Sequence, residues 1–187
     1  MTTYESSNYI KSRRLIADNL KFNVYFDHVV DQSGFEVSEY LVISPKIQDD
    51  NLVTGVAILP IVDKKIGLIK IYRPALRDYS WEIPHGFIEQ GEDDKESAVR
   101  ELMEETGLAV NTVKSLGLVT PDSGVLAARV HLFLAEHAKQ TNLRTGELGI
   151  EGVQFVSQKR FKEMITNSEI QDTFTLAAWC KYQLLVQ

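Results

Sequence analysis

The sequence predicts an α+β fold, a mixed sheet with helices on its faces, preceded by an antiparallel β meander. Three patterns carry this reading. Residues 14–44 alternate apolar and polar positions in short runs broken by Asp31-Gln32-Ser33-Gly34, as hairpin strands do. Residues 52–62 and 66–72 are apolar runs joined by Asp63-Lys64-Lys65, a second hairpin signal. Two later segments, starting near Asp93 and near Ser168, carry apolar residues at helical spacing.

In chain order, residues 1–12 are polar and are expected to be loose. The meander follows, with Phe22, Val24 and Phe26 expected to lie against Val37, Tyr40 and Val42. A sheet this small is marginal alone in water, so it must pack on the rest of the chain or on a second copy. Pro74 and Pro84 lack the N–H a ladder needs, so pairing should break near each. Asp93 or Asp94 can cap a helix that Gly107 ends. Strands are expected at 110–119 and 127–135, around the turn Pro121-Asp122-Ser123-Gly124, and again at 150–156. Ser157 is placed to cap a short helix through Met164. In the last helix, Ile170, Phe174, Leu176, Ala177, Cys180 and Leu184 mark the expected apolar face. Residues 1–45 thus form the meander and 46–187 the main domain.

Composition bounds the partners. The net charge of −6 argues against a nucleic-acid partner, which would need clustered Lys and Arg. The longest apolar stretch, at 56–62, is too short to span a bilayer, so no membrane partner is expected. The first residues lack the apolar run of a signal peptide. The lone Cys180 excludes an intrachain disulfide and any cysteine zinc site, and its apolar surroundings predict a core position. A cytoplasmic location is the expectation.

Chemistry concentrates in residues 86–108, GFIEQGEDDKESAVRELMEETGL. On a helix, Glu101, Glu104 and Glu105 fall on one face. Like charges at that spacing cost roughly 0.2–0.5 kcal/mol a pair, and two of the three sit where the helix dipole is already negative. Something positive should therefore cover this face. Arg100 and Arg73 are available, and a hard divalent cation with oxygen ligands fits, Mg²⁺ being the usual one for phosphate chemistry. A charged, solvated surface helix is the competing reading of the helix taken alone.

The stretch resembles the Nudix box, G-x5-E-x7-R-E-U-x-E-E-x-G-U with U aliphatic. It matches at Gly86, Glu92, Arg100, Glu101, Leu102, Glu104, Glu105, Gly107 and Leu108. The resemblance implies a Nudix α/β/α sandwich with a mixed sheet. It implies hydrolysis of a phosphoanhydride by Glu101, Glu104 and Glu105 acting through Mg²⁺, with Mn²⁺ as a substitute. The backbone carbonyl of His85 would complete the metal shell. Family members commonly carry alanine there, and the imidazole is itself a possible ligand. Glu92 would pair with Arg100, and Gly86, Glu92, Arg100 and Gly107 would be structural.

Around the box, IYRPALRDYSWEIPHGF and VTPDSGVLAARVHLFLA are similar to segments of the branch acting on ADP-ribose and related nucleoside diphosphate sugars. In that branch the meander lies across a two-fold partner and helps build the substrate cleft, which implies a homodimer; an edge extension of the main sheet in a monomer is the alternative. A proline some fifteen residues after the box marks the ADP-ribose group, and Pro121 lies 14 beyond Gly107. Where that group tends to read S-P-G, this chain reads Thr120-Pro121-Asp122-Ser123-Gly124, which leaves other nucleotide sugars open. Arg73 and Arg77 are candidates for the diphosphate, because guanidinium forks suit phosphate oxygens. Glu82 can reach the metal or a ribose hydroxyl, with pairing to an arginine as the alternative. Tyr25, Phe26 and Trp81 are candidates to stack on a base, with core burial as the alternative for each. Glu147 and Glu151 are the candidate general bases, the glycines around Glu147 favouring it. The expected products are NMP and a sugar phosphate. Hydrolysis of a nucleoside triphosphate or dinucleoside polyphosphate, and a non-catalytic ligand sensor, are the alternatives.

Overall fold

Ten consecutive residues, Val53–Val62, form the strand on which the main domain is built. Side chains alternate across a strand, so Val56 and Ile58 reach one face, and Ala57, Leu59 and Ile61 the other. Both faces are apolar, so both must be covered, and helices cover both. The computed structural model describes residues 9–141 and 149–185.

The strands are β1 (Ile10–Asp18), β2 (Phe22–Val30), β3 (Glu36–Pro45), β4 (Val53–Val62), β5 (Lys65–Arg73), β6 (Asp78–Glu82), β7 (His85–Phe87), β8 (Leu108–Ala109), β9 (Lys114–Val119), β10 (Arg129–Glu136), β11 (Lys139–Gln140) and β12 (Ile150–Ser157). The helices are α1 (Asp94–Thr106), α2 (Gln158–Thr166) and α3 (Thr173–Leu185). The main sheet runs β12-β5-β4-β10-β9, with β6 paired to β5 and β7 to β4. β10 is parallel to β4 while its other neighbour, β9, is antiparallel, so the sheet is mixed. On one face α1 packs Ala98 and Leu102 against Val56, Ile58 and Phe133. On the other, α2 and α3 pack Phe161, Met164, Trp179 and Tyr182 against Ala57, Leu59 and Leu132. This is the expected α/β/α sandwich with its mixed sheet.

The β4–β5 hairpin closes through Asp63 and Lys64, both at positive φ, as a two-residue turn of the I′ kind requires. The prolines break pairing as expected, with β5 ending at Arg73 and β6 and β7 separated by Ile83-Pro84. Asp93 caps α1 through a capping box with Glu96, and Gly107 ends the helix in the left-handed conformation. Ser157 caps α2 by accepting from the Arg160 N–H. His131 on β10 hydrogen-bonds Ser115 on β9 (2.6 Å) and Asp94 at the start of α1, bracing helix to sheet.

Several expectations are corrected. β1 begins at Ile10, inside the stretch expected to be loose. Its first residues, 10–13, are mostly polar and pair with β2 with both faces exposed, so the apolar run beginning at Leu15 marked only its second half. The β2–β3 register sets Phe22 opposite Pro45, Val24 opposite Ile43 and Phe26 opposite Leu41, because β3 runs on to Pro45 and an irregularity interrupts the ladder between Asp27 and Val29. The stretch 110–119 is strand only at 114–119, with 108–109 pairing instead with β11. In α3 the buried face is Thr175, Ala178, Trp179 and Tyr182, and Cys180 is exposed. The two aromatic rings take the core side and rotate Cys180 and Leu184 outward.

The meander is a separate three-stranded sheet, β1-β2-β3. It docks through Ile43, whose N–H donates to the Val125 carbonyl (2.8 Å) and whose carbonyl accepts from Ala127 N–H (2.9 Å). Tyr40 also donates its hydroxyl to the Gly124 carbonyl (2.7 Å). The loop Thr120–Gly124 is thereby pinned to the meander.

The α3 face is testable by thermal unfolding. Trp179→Ala should cost about 3–5 kcal/mol, whereas Leu184→Ala, at a side chain 69% exposed, should change stability by no more than about 0.5 kcal/mol.

Candidate active site

The box glycine shows how the site is assembled. β7 pairs with β4, Gly55 opposite Phe87 and Ala57 opposite His85, so Gly86 lies on the central sheet directly under α1. A Cβ on Gly86 would fall 2.2 Å from Glu101 Oε1. Glycine is required there because the carboxylate occupies the space a side chain would fill. Glu101 and Glu105 are 6% and 3% exposed, one helical turn apart, and both face β7.

Each carboxylate of the acidic face has a defined partner. Arg100 Nη1 donates to Glu101 (2.8 Å) and Glu104 (3.0 Å). Arg100 also grips Glu92 with two bonds (2.8 and 3.0 Å) and donates to the Phe87 carbonyl (3.0 Å). Glu105 accepts the His85 backbone N–H at 2.8 Å. Arg100 is therefore a positive group over this face, as the charge argument requires. Among the described residues no three His, Cys, Asp or Glu side chains converge in a ready cation cage. The reason is geometric: Glu101 and Glu104 turn toward Arg100, and Glu105 turns toward the peptide of His85. The donor set still fits a hard cation. Two nearly buried carboxylates share one face with a half-exposed third, above a strand kept free of side-chain bulk at Gly86.

Electrostatics hold the loop before α1 in place. The hydrogen bond from Arg100 drives the Glu92 carboxyl down to about 2, against burial, with Ser97 and the Glu89 N–H assisting. The same carboxylate raises the Arg100 guanidinium further above its ordinary value, again against burial. Glu82 is nearly buried. Burial alone would raise it, but Arg73 brings it below the usual carboxylate range.

Arg73 is held from behind. Its Nε–H donates to both Glu82 oxygens (3.1 Å each) and Nη2 to His85 Nε2 (2.8 Å). His85 Nδ1 lies 3.0 Å from the Ile83 carbonyl. A carbonyl only accepts, so Nδ1 carries the proton and Nε2 is left to accept from Arg73. The His85 imidazole is thus engaged with Arg73 and Ile83 rather than free to serve as a ligand. Arg73 meets Glu82 and His85 through Nε and Nη2, and it lines the cavity described next.

A cavity of about 480 Å³ opens above these groups. Glu101, Glu104, Arg73 and Arg100 form its polar wall. Phe22 and Lys21 reach it from the meander, and Pro121 from the pinned loop. Sequence reasoning missed Phe22, Lys21 and Phe87 as cleft residues, because only the docking of the meander brings 21–22 to 87. Phe22 and Phe87 meet edge to face, ring centroids 5.6 Å apart.

Other expected site residues lie elsewhere. Arg77 sits in the β5–β6 turn at positive φ and does not line the cavity. Tyr25 does not line it either, and packs under the Arg13 guanidinium. Glu151 pairs with Lys70 (2.9 Å) on exposed β12, and Tyr79 also hydrogen-bonds it. Trp81 packs against the core. Glu147 lies outside the described residues.

The Glu92 clamp predicts a signed pH dependence. A carboxyl lowered from 4.5 to about 2 on folding contributes stability that is complete above 4.5 and lost as pH falls through 2. Glu92→Gln should cost about 2 kcal/mol at pH 7. In acid titrations followed by circular dichroism, the gap between variant and parent should close between those two values.

The comparisons agree with this geometry. The NUDIX domain profile matches residues 51–176. A CMP-5'-(N-acetyl-N-hydroxy-3-aminopropyl)phosphonate hydrolase of Streptomyces rubellomurinus is 27% identical over 130 residues, covering 68% of this chain and 59% of that protein. The ADP-ribose pyrophosphatase of Bacillus subtilis is 38% identical over 83 residues, covering 44% of this chain and 45% of that protein. The chain therefore spans only about half the length of these curated relatives. A solved ADP compounds hydrolase superposes with a TM-score of 0.78 at 18% identity, over 95% of this chain and 92% of that one, which establishes the shared fold including the meander. Matched over most of its length and with every fixed box residue in place, the chain belongs to the NUDIX domain family of hydrolases.

Proposed function

We propose that this protein is a Mg²⁺-dependent pyrophosphohydrolase. In this reading it splits the diphosphate of ADP-ribose or a related nucleoside diphosphate sugar into NMP and a sugar phosphate. The observation that carries the reading is the intact acidic face, with Glu101 and Glu104 at the wall of a cavity that the meander also lines and the almost buried Glu105 one helical turn from Glu101. Nudix hydrolases generally use divalent cations, and Mg²⁺, with Mn²⁺ as substitute, suits an all-oxygen site. Bound there, the cation would neutralise phosphoryl oxygens and lower the pKa of an attacking water.

The chain's own residues do the rest. Glu101, Glu104 and Glu105, with the His85 carbonyl, would hold the cation. Arg100, which bonds Glu101, Glu104 and Glu92, would retain Glu92 as its partner. Arg73, fixed by Glu82 and His85, presents its Nη1 edge to the diphosphate without having to be ordered on binding. Glu82 thus acts through Arg73. Glu151 is committed to Lys70 and Tyr79 away from the cleft, which favours Glu147 as the general base. The two nucleotide-acting relatives support the substrate class, and the meander wall favours a nucleotide sugar over a triphosphate or dinucleoside polyphosphate. Among the described residues no helix is long and apolar enough to cross a membrane.

We also infer that residues 1–45 mediate a homodimer. The meander exposes Leu15, Leu20 and Phe35, the last two at 96% and 70%. Leu15 lies on β1, and Leu20 and Phe35 lie in the turns at the two ends of β2; apolar side chains of this size left exposed suit an interface.

With ADP-ribose, ADP-glucose, GDP-mannose, a dinucleoside polyphosphate and NTPs offered alongside Mg²⁺, a diphosphate sugar should be the preferred substrate. Glu105→Gln should lower its turnover by more than the roughly 100-fold typical of losing an outer-shell partner, with unfolding unchanged. Glu147→Gln should be slow and Glu151→Gln near native. Equal, near-native rates would remove the base assignment. Light scattering should give twice the chain mass, and a native monomer would contradict the dimer.

A further inference from the structure

The cleft must receive a substrate with at least two negative charges, yet its guanidiniums are already neutralised. Arg73 is bonded to Glu82, and Arg100 to Glu92, Glu101 and Glu104. The remaining cation on the cavity wall is Lys21. Among the described residues no carboxylate pairs with it. Its ammonium lies 5.4 Å from the centre of the Phe87 ring. A ring face attracts a cation weakly and leaves its N–H donors available.

The backbone beneath Lys21 is fixed. Asn19 Oδ1 accepts from the N–H groups of Lys21 and Phe22, both at 2.8 Å. Asn19 N–H donates to the Phe22 carbonyl (2.9 Å), and the Lys21 carbonyl accepts from Lys46 N–H (2.9 Å). Phe22 then packs edge-on against Phe87, next in sequence to the box glycine. A β1–β2 turn pinned at four backbone bonds thus delivers one unpaired ammonium to the meander side of the cavity. The acidic face lies on the other wall. A polar tip held over an aromatic ring at a cleft mouth, with no acidic partner, has a charge to satisfy only when an anion arrives.

We propose that Lys21 is the diphosphate anchor on the meander side of the cleft and a determinant of substrate affinity. Its ammonium takes phosphoryl oxygens on the meander side of the cleft. This rests on the reading of the cleft as a diphosphate site. It assigns the meander a direct electrostatic part in binding, within a single chain and apart from any dimer.

The test is Lys21→Met and Lys21→Arg in the full-length protein. With the preferred diphosphate sugar, Lys21→Met should raise KM by about 10-fold or more and leave kcat within about twofold. Lys21→Arg should restore most of the affinity, which a packing role would not predict. Added salt should raise the parent's KM more steeply than that of Lys21→Met. In parallel, calorimetry with inorganic pyrophosphate and Mg²⁺ should show binding weakened by a similar factor in Lys21→Met. An unchanged KM and unchanged pyrophosphate affinity would overturn the proposal. If no diphosphate sugar is turned over, the functional reading fails by itself, and the pyrophosphate titration still decides on Lys21.

Discussion

The structure around the cleft depends on one guanidinium. Arg100 bonds three carboxylates and the Phe87 carbonyl at once. Through Glu92 it locks the loop that leads into α1. Through Phe87 it ties that helix to β7. Through Glu101 and Glu104 it covers an acidic face that would otherwise repel itself. Charge-assisted bonds of this kind are about twice as strong as neutral ones. One side chain thereby sets the position of α1 on the sheet and the spacing of the carboxylates.

That arrangement joins folding to chemistry. An acidic face covered by an arginine has a built-in alternative partner, because a divalent cation offers the same carboxylates a stronger local charge. In the proposed reading Arg100 would keep Glu92 in either case, so the loop and the helix entry would not have to move if the other two carboxylates changed partner. His85 adds a second constraint. Its backbone N–H holds Glu105 and its ring holds Arg73, so one residue links the acidic face to the guanidinium opposite. Alanine, the common residue there in similar proteins, would supply only the first of these.

Much of this was legible in the sequence. The box named Gly86, Glu92, Arg100 and the three glutamates, and the structure supplies a steric reason for the glycine and an electrostatic reason for the arginine. The β4–β5 hairpin, both helix caps of α1 and the Ser157 cap follow from local chemistry that acts within a few residues. What was not legible is long-range. The first half of β1 carries no apolar alternation, and neither of its faces is buried. The inward face of α3 depended on which side chains the core accepted: periodicity put Cys180 and Leu184 on the expected face, whereas Trp179 and Tyr182 are buried. Lys21, Phe22 and Phe87 are cleft neighbours only because Ile43 docks the meander against the strand leading into β10. Arg77, close to the box in sequence, is carried away by the β5–β6 turn.

The central claim is that Glu101 and Glu105 exchange their protein partners for a divalent cation. Anomalous diffraction from crystals soaked in Mn²⁺ tests it most directly. The account predicts a manganese peak within about 2.5 Å of oxygens from both glutamates, with Arg100 still bonded to Glu92. Full soaking with no peak there, and Glu101 still bonded to Arg100, would contradict it.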